Sequence, residues 1–283
     1  MKRQKSFSGD GPILYLVPTP IGNLEDMTFR SVRILQEVDI IYAEDTRVSG
    51  KLLHHYDIHK PLKSYHEHNK YEMTSEIISY LKEGKNIGLI SDAGMPLLSD
   101  PGFEIVKKAR EEDFKVVTLP GSNALLTGLV TSGIEVIPFT FLGFLDSKKA
   151  KRIATLEELK YREETLVFYE APHRLQSLLE DLFAVFGDRL ISITRELSKT
   201  FEEIIHGYIS ECLKLEELKG EMVIIVKGYV KEDLSTDSLS IVSQVDYFID
   251  GGLSKTDAMK KVSQMTGIPK NKIYQDYLEK KIK

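Results

Sequence analysis

A chain of 283 residues, 42% hydrophobic and 29% charged, is long enough to bury a large core and to divide into two domains with a small third. Its apolar runs fall far short of the roughly 20 residues that cross a bilayer, and the run 13–17 behind the basic start (Lys2, Arg3, Lys5) is too short for a signal-peptide core. The single cysteine, Cys212, excludes an internal disulfide and fits a reducing cytoplasm, and a net charge of −5 argues against capture of nucleic acid by bulk electrostatics.

The charge is uneven along the chain. Residues 252–283 hold 8 Lys or Arg against 3 Asp or Glu, whereas the remainder holds 30 against 40. An acidic body thus precedes a basic tail.

In chain order, residues 1–10 read as a disordered arm. A first strand over 13–17 runs into Pro18-Thr-Pro-Ile-Gly-Asn-Leu24, a stiff turn without GxGxxG spacing. A helix follows from Thr28 with Val32, Ile34 and Leu35 turned inward. A second strand over 38–43 empties into Glu44, Asp45, Thr46, Arg47, Val48 and Ser49, and charged groups at a strand's carboxyl end are a functional pattern. Five histidines follow within 15 residues: His54, His55, His59, His66 and His68. Their spacing lacks the i, i+4 arrangement of a helical metal site, so they read as polar loop residues near a substrate, and no metal is expected.

A helix is predicted over 71–83 with Gly84 as its stop. The strand over 87–90 then opens onto Ser91-Asp-Ala-Gly-Met-Pro-Leu-Leu-Ser-Asp-Pro-Gly102. Ligands of open α/β sheets bind just outside the carboxyl ends of strands, and Gly and Pro let backbone groups approach a ligand closely. In this loop Asp92 reads as a ligand contact and Asp100 as the cap of a helix that Pro101 begins. A helix over 103–111 and a strand over 115–119 follow, ending in Pro120-Gly-Ser-Asn-Ala124, where Ser122 or Asn123 caps the next helix. This alternation is the signature of a parallel, helix-covered sheet.

A second α/β unit begins near 139–144, an apolar strand or loop. It leads to Asp146-Ser-Lys-Lys-Ala-Lys-Arg152, a basic patch that reads as a solvated helix start or as a phosphate-facing group. Strands over 165–169 and 190–194 deliver Glu170-Ala-Pro-His-Arg174 and Arg195-Glu-Leu-Ser-Lys-Thr200, and a strand over 222–227 pairs with them. A polar linker over 232–240 precedes the tail, where a capped helix, the turn at Gly267 and a second Lys- and Asn-rich helix resemble a helix-turn-helix.

Six strings together and in register resemble one family: Leu16-Val-Pro-Thr-Pro-Ile-Gly-Asn-Leu24, Ala43-Glu-Asp-Thr-Arg47, Ser64-Tyr-His-Glu-His-Asn69, the 89–102 segment, Pro120-Gly-Ser-Asn-Ala124 and Phe168-Tyr-Glu-Ala-Pro-His-Arg174. It is the bacterial ribosomal RNA small subunit methyltransferase I family, ribose 2′-O-methyltransferases of the tetrapyrrole methylase superfamily. The resemblance runs from about 13 to 227, and the tail is similar to that family's small C-terminal domain. It implies a disordered arm (1–10), two α/β domains (11–121 and 122–229) with S-adenosylmethionine in the cleft between them, and a linker with a small helical domain (230–283). It also implies a homodimer and, as substrate, a decoding-region cytidine of 16S rRNA, presented within the small ribosomal subunit. By resemblance the cofactor contacts are Pro20, Asp92, Ala93, Gly94, Met95, Asn123, Ala124, Tyr169, Glu170, Gly220 and Glu221, with residues 195–200 lining the cleft.

Methyl transfer from a sulfonium to a ribose hydroxyl is an in-line displacement, in which alignment of oxygen, carbon and sulfur supplies most of the rate. Because the sulfonium charge disappears in the transition state, a carboxylate pressed on sulfur would favour the ground state. The loop 92–96 suits a different task, holding the ammonium end. A base for the hydroxyl could be Glu44 or Asp45, His66 or His68, or Glu196, with Arg47, Arg195 or Lys199 holding a neighbouring phosphate. Two alternatives are a methyltransferase acting on a small tetrapyrrole precursor and a non-enzymatic nucleic-acid-binding protein that uses its C-terminal helices. A strip of Lys148 to Arg152, Arg174, Arg195, Lys199 and the tail is the expected RNA-facing surface.

Overall fold

The computed structural model describes residues 3–6, 8, 10–230, 240–250 and 253–281. They form two compact units, Met1–Tyr229 and Val230–Lys283.

The first sheet is built from β1 (Ile13–Val17), β2 (Ile40–Ala43), β3 (Leu62–Ser64), β4 (Ile87–Ile90) and β5 (Lys115–Thr118), in the order β3-β2-β4-β1-β5. All neighbours are parallel, with Val17 opposite Ile90 and Ala43 opposite Ile90. Alternate residues feed two cores, as period-two side chains on a doubly covered sheet must. One face packs Leu14, Leu16, Tyr42 and Leu89 against α3 (Lys70–Lys82) and α4 (Phe103–Glu111). The other packs Val17, Ile41, Ala43 and Ile90 against α1 (Phe29–Glu37) and α2 (Thr46–His55). The chain leaves β1 toward β2 on one side and leaves β4 toward β5 on the other, so the topological switch point lies between β1 and β4.

After α5 (Ala124–Thr131) comes the second sheet, made of β6 (Phe139–Phe144), β7 (Thr165–Glu170), β8 (Leu190–Arg195), β9 (Glu203–Tyr208) and β10 (Met222–Val226), ordered β6-β7-β10-β8-β9. Only β6 and β7 run parallel, and the other pairs are antiparallel. One face is covered by α6 (Lys149–Leu159), α7 (Leu175–Phe186) and the short α8 (Ile209–Cys212). The other is covered by α5, whose Gly128 lies so close that an added Cβ would stand 2.7 Å from Thr194 Oγ1 and 3.1 Å from Val223 Cβ.

The second unit is a three-helix bundle of α9 (Ile241–Asp250), α10 (Lys255–Thr266) and α11 (Lys270–Lys281) around Val245, Met259, Val262, Ile273 and Tyr277. Ser254 caps α10 by accepting from Asp257 N, and Gly267 (φ 71°) closes it in the left-handed conformation that glycine adopts without strain.

Four expectations change. The segment Glu44–Ser49 is not a loop throughout, because α2 starts at Thr46, and its last turn carries His54 and His55 on an exposed face. Helix α2 buries Ser49 and Leu53 against the sheet. The short edge strands β3 and β9 carry no distinct alternation that marks them in advance. In the basic patch, Arg152 turns inward to Asp181, so no phosphate-facing group is formed by that residue. The arm also makes contact: the Gln4 side chain accepts from Val116 N at 3.1 Å and donates to Val116 O at 2.9 Å. The linker over 232–240 lies outside the described residues except Ser240.

Candidate active site

Strand β1 ends at Val17, and the following turn is bound to the loop after β4. Thr19 N donates to Gly94 O and Gly94 N to Thr19 O, both at 3.0 Å. Thr19 Oγ1 donates to Ser91 O at 3.0 Å, and Ser91 Oγ to Gly94 O at 2.8 Å. Gly94 sits at φ 81°, a conformation costly for residues bearing a Cβ, and a Cβ there would meet Ile21 Cγ2 at 3.1 Å. This pinned turn presents Asp92, Ala93 and Met95 at the switch point.

The second sheet closes the opposite wall. Tyr169, at the end of β7, accepts from Leu125 N at 3.2 Å and so ties the start of α5 to that sheet. Asn123 caps α5, accepting from Leu126 N at 2.9 Å; Ser122 does not cap it. Asn123→Ala should destabilise the protein by about 1 kcal/mol, checked as a fall in melting temperature of a few degrees. Beyond β8, Glu196 (φ 50°) accepts from Lys199 Nζ at 3.0 Å and from Glu221 N at 3.2 Å. Gly220 (φ 91°) permits that approach, since a Cβ there would lie 2.3 Å from Glu196 Oε1. The stem of Lys199 packs on Gly22, and Ser198 Oγ bonds Asp26, joining the loops of the two sheets.

Between these walls lies a cavity of about 400 Å³. Of the residues expected to contact a cofactor, Asp92, Ala93, Gly94, Met95, Asn123, Ala124, Tyr169, Glu170 and Glu221 line it, while Pro20 and Gly220 stand one residue outside, next to Ile21 and Glu221. Of the expected catalytic group, Glu196 and Lys199 line it, whereas Glu44, Asp45, Arg47, His66 and His68 do not. Asp45 is turned aside, its carboxylate held at about pKa 2 by hydrogen bonds from the Arg47 side chain and backbone. Glu44 remains close to the cavity's acidic wall, its pKa raised by burial and then by Asp92.

One expectation is reversed here. Asp100 is not a helix cap: α4 begins at Phe103 with Gly102 as its N-cap and no side-chain capping bond. Instead Asp100 lines the cavity, where burial, then Glu44 and Asp92, raise its pKa to about 6. The two residues separating it from Phe103 were the available signal, since a side chain caps best from the position directly before the first helical residue. Unanticipated as cavity walls are Phe144 and Val223, which with Leu197 of the expected 195–200 segment make one side apolar.

Glu170 is almost wholly buried. Its Oε1 accepts from Ala171 N at 2.9 Å and pairs with Arg174 Nε at 3.1 Å, while Oε2 has no partner among the described residues. Burial raises its pKa. The expected cationic strip is largely neutralised: Arg174 pairs with Glu170, Arg195 with Glu203, Lys199 with Glu196, and Arg152 with Asp181.

Residues 13–213 match the family model described as Tetrapyrrole (Corrin/Porphyrin) Methylases. Curated relatives named "Ribosomal RNA small subunit methyltransferase I" include one from Bacillus subtilis (strain 168), 48% identical over 98% of both chains. Another from Halalkalibacterium halodurans is 46% identical over 98% of this chain and 99% of its own, and one from Synechocystis sp. is 40% identical over 94% and 98%. Among solved structures, a uroporphyrin-III-C-methyltransferase from Thermus thermophilus superposes with TM-score 0.55 at 17% identity, covering 75% of this chain and 93% of that one, a likeness of fold.

Proposed function

The chain belongs to the ribosomal RNA small subunit methyltransferase I family within the tetrapyrrole methylases, and from that premise we propose that it transfers a methyl group from S-adenosylmethionine to the 2′-oxygen of a cytidine ribose in the decoding region of 16S rRNA. The observation that carries the reading is the cavity between the β1/β4 switch point and the loops of the second sheet. In a doubly wound sheet this is where a ligand is reached by backbone groups of several loops at once.

The lining fits this donor. Its wall holds carboxylates of Asp92, Glu170 and Glu221, suited to a cation bearing a sulfonium and an ammonium, and its apolar surfaces at Leu197, Val223 and Phe144 suit a flat base. Asp92, Ala93 and Met95 would hold the methionine end and ribose, with Asn123, Ala124, Tyr169, Glu170 and Glu221 completing the site. When bound, the donor supplies an activated methyl group and a neutral thioether as leaving group.

The chain's own groups supply position and dryness. The Thr19–Gly94 pair locks the loop that carries Asp92, so the ammonium contact costs little reorganisation. Asp92 Oδ1 accepts from Asp45 N at 3.1 Å, which orients its carboxylate while leaving lone pairs for a ligand. Lys199, held between Glu196 and Glu221, offsets part of the negative charge of the second wall and leaves the approach of a phosphate less repulsive.

The working form in this reading is a cytoplasmic homodimer acting on RNA within the small ribosomal subunit, with the basic three-helix unit as an added RNA contact. Incubating the protein with tritiated donor and either small ribosomal subunits or a corrin precursor tests the function. Label should enter 16S rRNA and map by nuclease digestion to a single 2′-O-methylcytidine; label in the corrin alone would overturn the reading. Removing residues 232–283 should weaken RNA binding at least tenfold while leaving donor affinity, read by calorimetry, within about twofold.

A further inference from the structure

Strands β2, β3 and β4 end level, with Ala43 opposite both Ile90 and Ser64, so the residues that follow them emerge side by side at the rim of the cavity. Glu44 is fixed in this row on both flanks. Ala43 O accepts from Tyr65 N at 2.8 Å, and Asp45 N donates to Oδ1 of Asp92, a cavity residue, at 3.1 Å. The half-buried Glu44 side chain nevertheless has no hydrogen bond or ion pair among the described residues.

The turn after β3 is held as firmly. His66 N donates to Asn69 Oδ1 at 2.8 Å, and Asn69 Nδ2 donates to Ser64 O at 3.1 Å, which sets His66 in the same row as Glu44. Its ring Nδ1 is buried and has no partner among the described residues. An in-line displacement brings the incoming oxygen from the side opposite sulfur, so an acceptor enters from the rim rather than through the groups that enclose the donor. A fixed carboxylate with its lone pairs open, just outside the cavity, is placed for that acceptor.

Resting on the methyl-transfer reading above, we propose that the ends of β2 and β3 seat the acceptor nucleotide and that the Glu44 carboxylate takes the proton from its ribose hydroxyl as that oxygen is methylated. The hydroxyl O–H bond breaks and the proton goes to a Glu44 oxygen; the hydroxyl's electron pair forms the new O–C bond; the C–S bond breaks with its pair staying on sulfur. Charge balances, because a carboxylate and a sulfonium become a carboxylic acid and a thioether. Solvent then removes the proton from Glu44.

The other candidates are less suited. Asp92 and Asp100 line the cavity itself, where a cationic donor would pair with them and lower their basicity. Asp45 is held by Arg47, and Glu196 is bound to Lys199. Base chemistry would turn His66 into an imidazolium, whose buried Nδ1–H would have no acceptor. The groups facing Glu44 are Asp92 and Asp100 from the loop after β4, His66 from the turn after β3 and Asp45 beside it. Burial first and Asp92 next raise its pKa, with His66 acting against them, and a carboxylate shifted upward is the better base near neutral pH.

The test uses the full-length protein with Glu44→Gln, which keeps the shape and cannot take the proton, and Glu44→Asp as the conservative variant. At saturating donor and with 16S rRNA in small subunits, E44Q should lower kcat about 10²- to 10⁴-fold. Donor affinity by calorimetry should stay within about twofold. The kcat–pH profile of the parent should show an acidic limb above the ordinary glutamate value of 4.5, kept in E44D and absent from E44Q.

Two readouts need no turnover. Carbon-13 NMR of labelled glutamates in the donor-free protein should show a carboxyl titrating above 4.5 that E44Q deletes. Because the folded pKa is raised, ionising Glu44 opposes folding as pH rises through it. E44Q should therefore melt higher than the parent at pH 7.5, with the difference shrinking toward pH 4. Unchanged kcat in E44Q, a tenfold loss of donor affinity, or an acidic limb that E44Q keeps would each overturn the assignment, the second making Glu44 a donor ligand and the third a positioning group. A parent protein inactive on every RNA substrate would instead sink the functional reading and this assignment with it.

Discussion

Arg152→Met should lower the unfolding free energy of the protein by about 3–5 kcal/mol, the cost of stranding a buried carboxylate. Arg152 is 5% exposed and Asp181 2%, and the guanidinium reaches Asp181 Oδ2 through Nε at 2.7 Å and Nη2 at 2.6 Å. This fork joins α6 to α7 across the outer face of the second sheet. Exposed Lys149 approaches the other carboxylate oxygen at 3.5 Å and should hold the loss toward the lower end of that range. In a unit of this size the melting temperature should drop by about 10 °C. The double variant Arg152→Met, Asp181→Leu removes both charges and should recover most of the loss. A single variant as stable as the parent, measured by urea unfolding, would show that Asp181 is not stranded by the loss of its partner.

The second large effect falls on the site. Gly94→Val should weaken binding of the proposed donor, S-adenosylmethionine, by roughly tenfold to a hundredfold, because a β-branched residue at φ 81° is strained by about 1–3 kcal/mol and each 1.4 kcal/mol is tenfold in affinity. The strain cannot be relieved in place. Two hydrogen bonds to Thr19 hold the backbone, and Ile21 Cγ2 would lie 3.1 Å from the new Cβ. The turn must therefore shift, carrying Asp92 and Met95 with it. Calorimetry on the variant reads the loss directly, and a melting curve close to that of the parent would assign it to the loop rather than to the whole fold.

Much of this architecture is legible along the chain. The strand segments that open onto the cavity, β1, β4, β7 and β8, are apolar runs that end in Pro, Gly or charged residues, and such punctuation reports local backbone geometry wherever it occurs. The Thr28 cap of α1, the Gly84 stop and the Gly267 turn are local in the same sense. Edge strands were harder. The three residues of β3 gain strand geometry from pairing with β2, at Ile41 opposite Leu62, and nothing in Leu62, Lys63 and Ser64 alone requires it. The histidines between 54 and 68 fall on different elements: His54 and His55 lie on the exposed end of α2, whereas His66 and His68 follow β3 with their rings 6.0 Å apart.

The sequence by itself determined the alternation of strands and helices, the loops that bear the site and the basic character of the tail, because hydrophobic period, capping and turn chemistry are properties of neighbouring residues. Only the tertiary structure decided the state of each charge. Arg152 finds Asp181 across 29 residues, Lys199 finds Glu221 across 22, and Asp100 is half-buried beside Glu44 and Asp92. Whether a charged side chain is solvated, neutralised or left poised depends on which distant segments meet it, and burial and partners of that kind are set by packing rather than by local sequence.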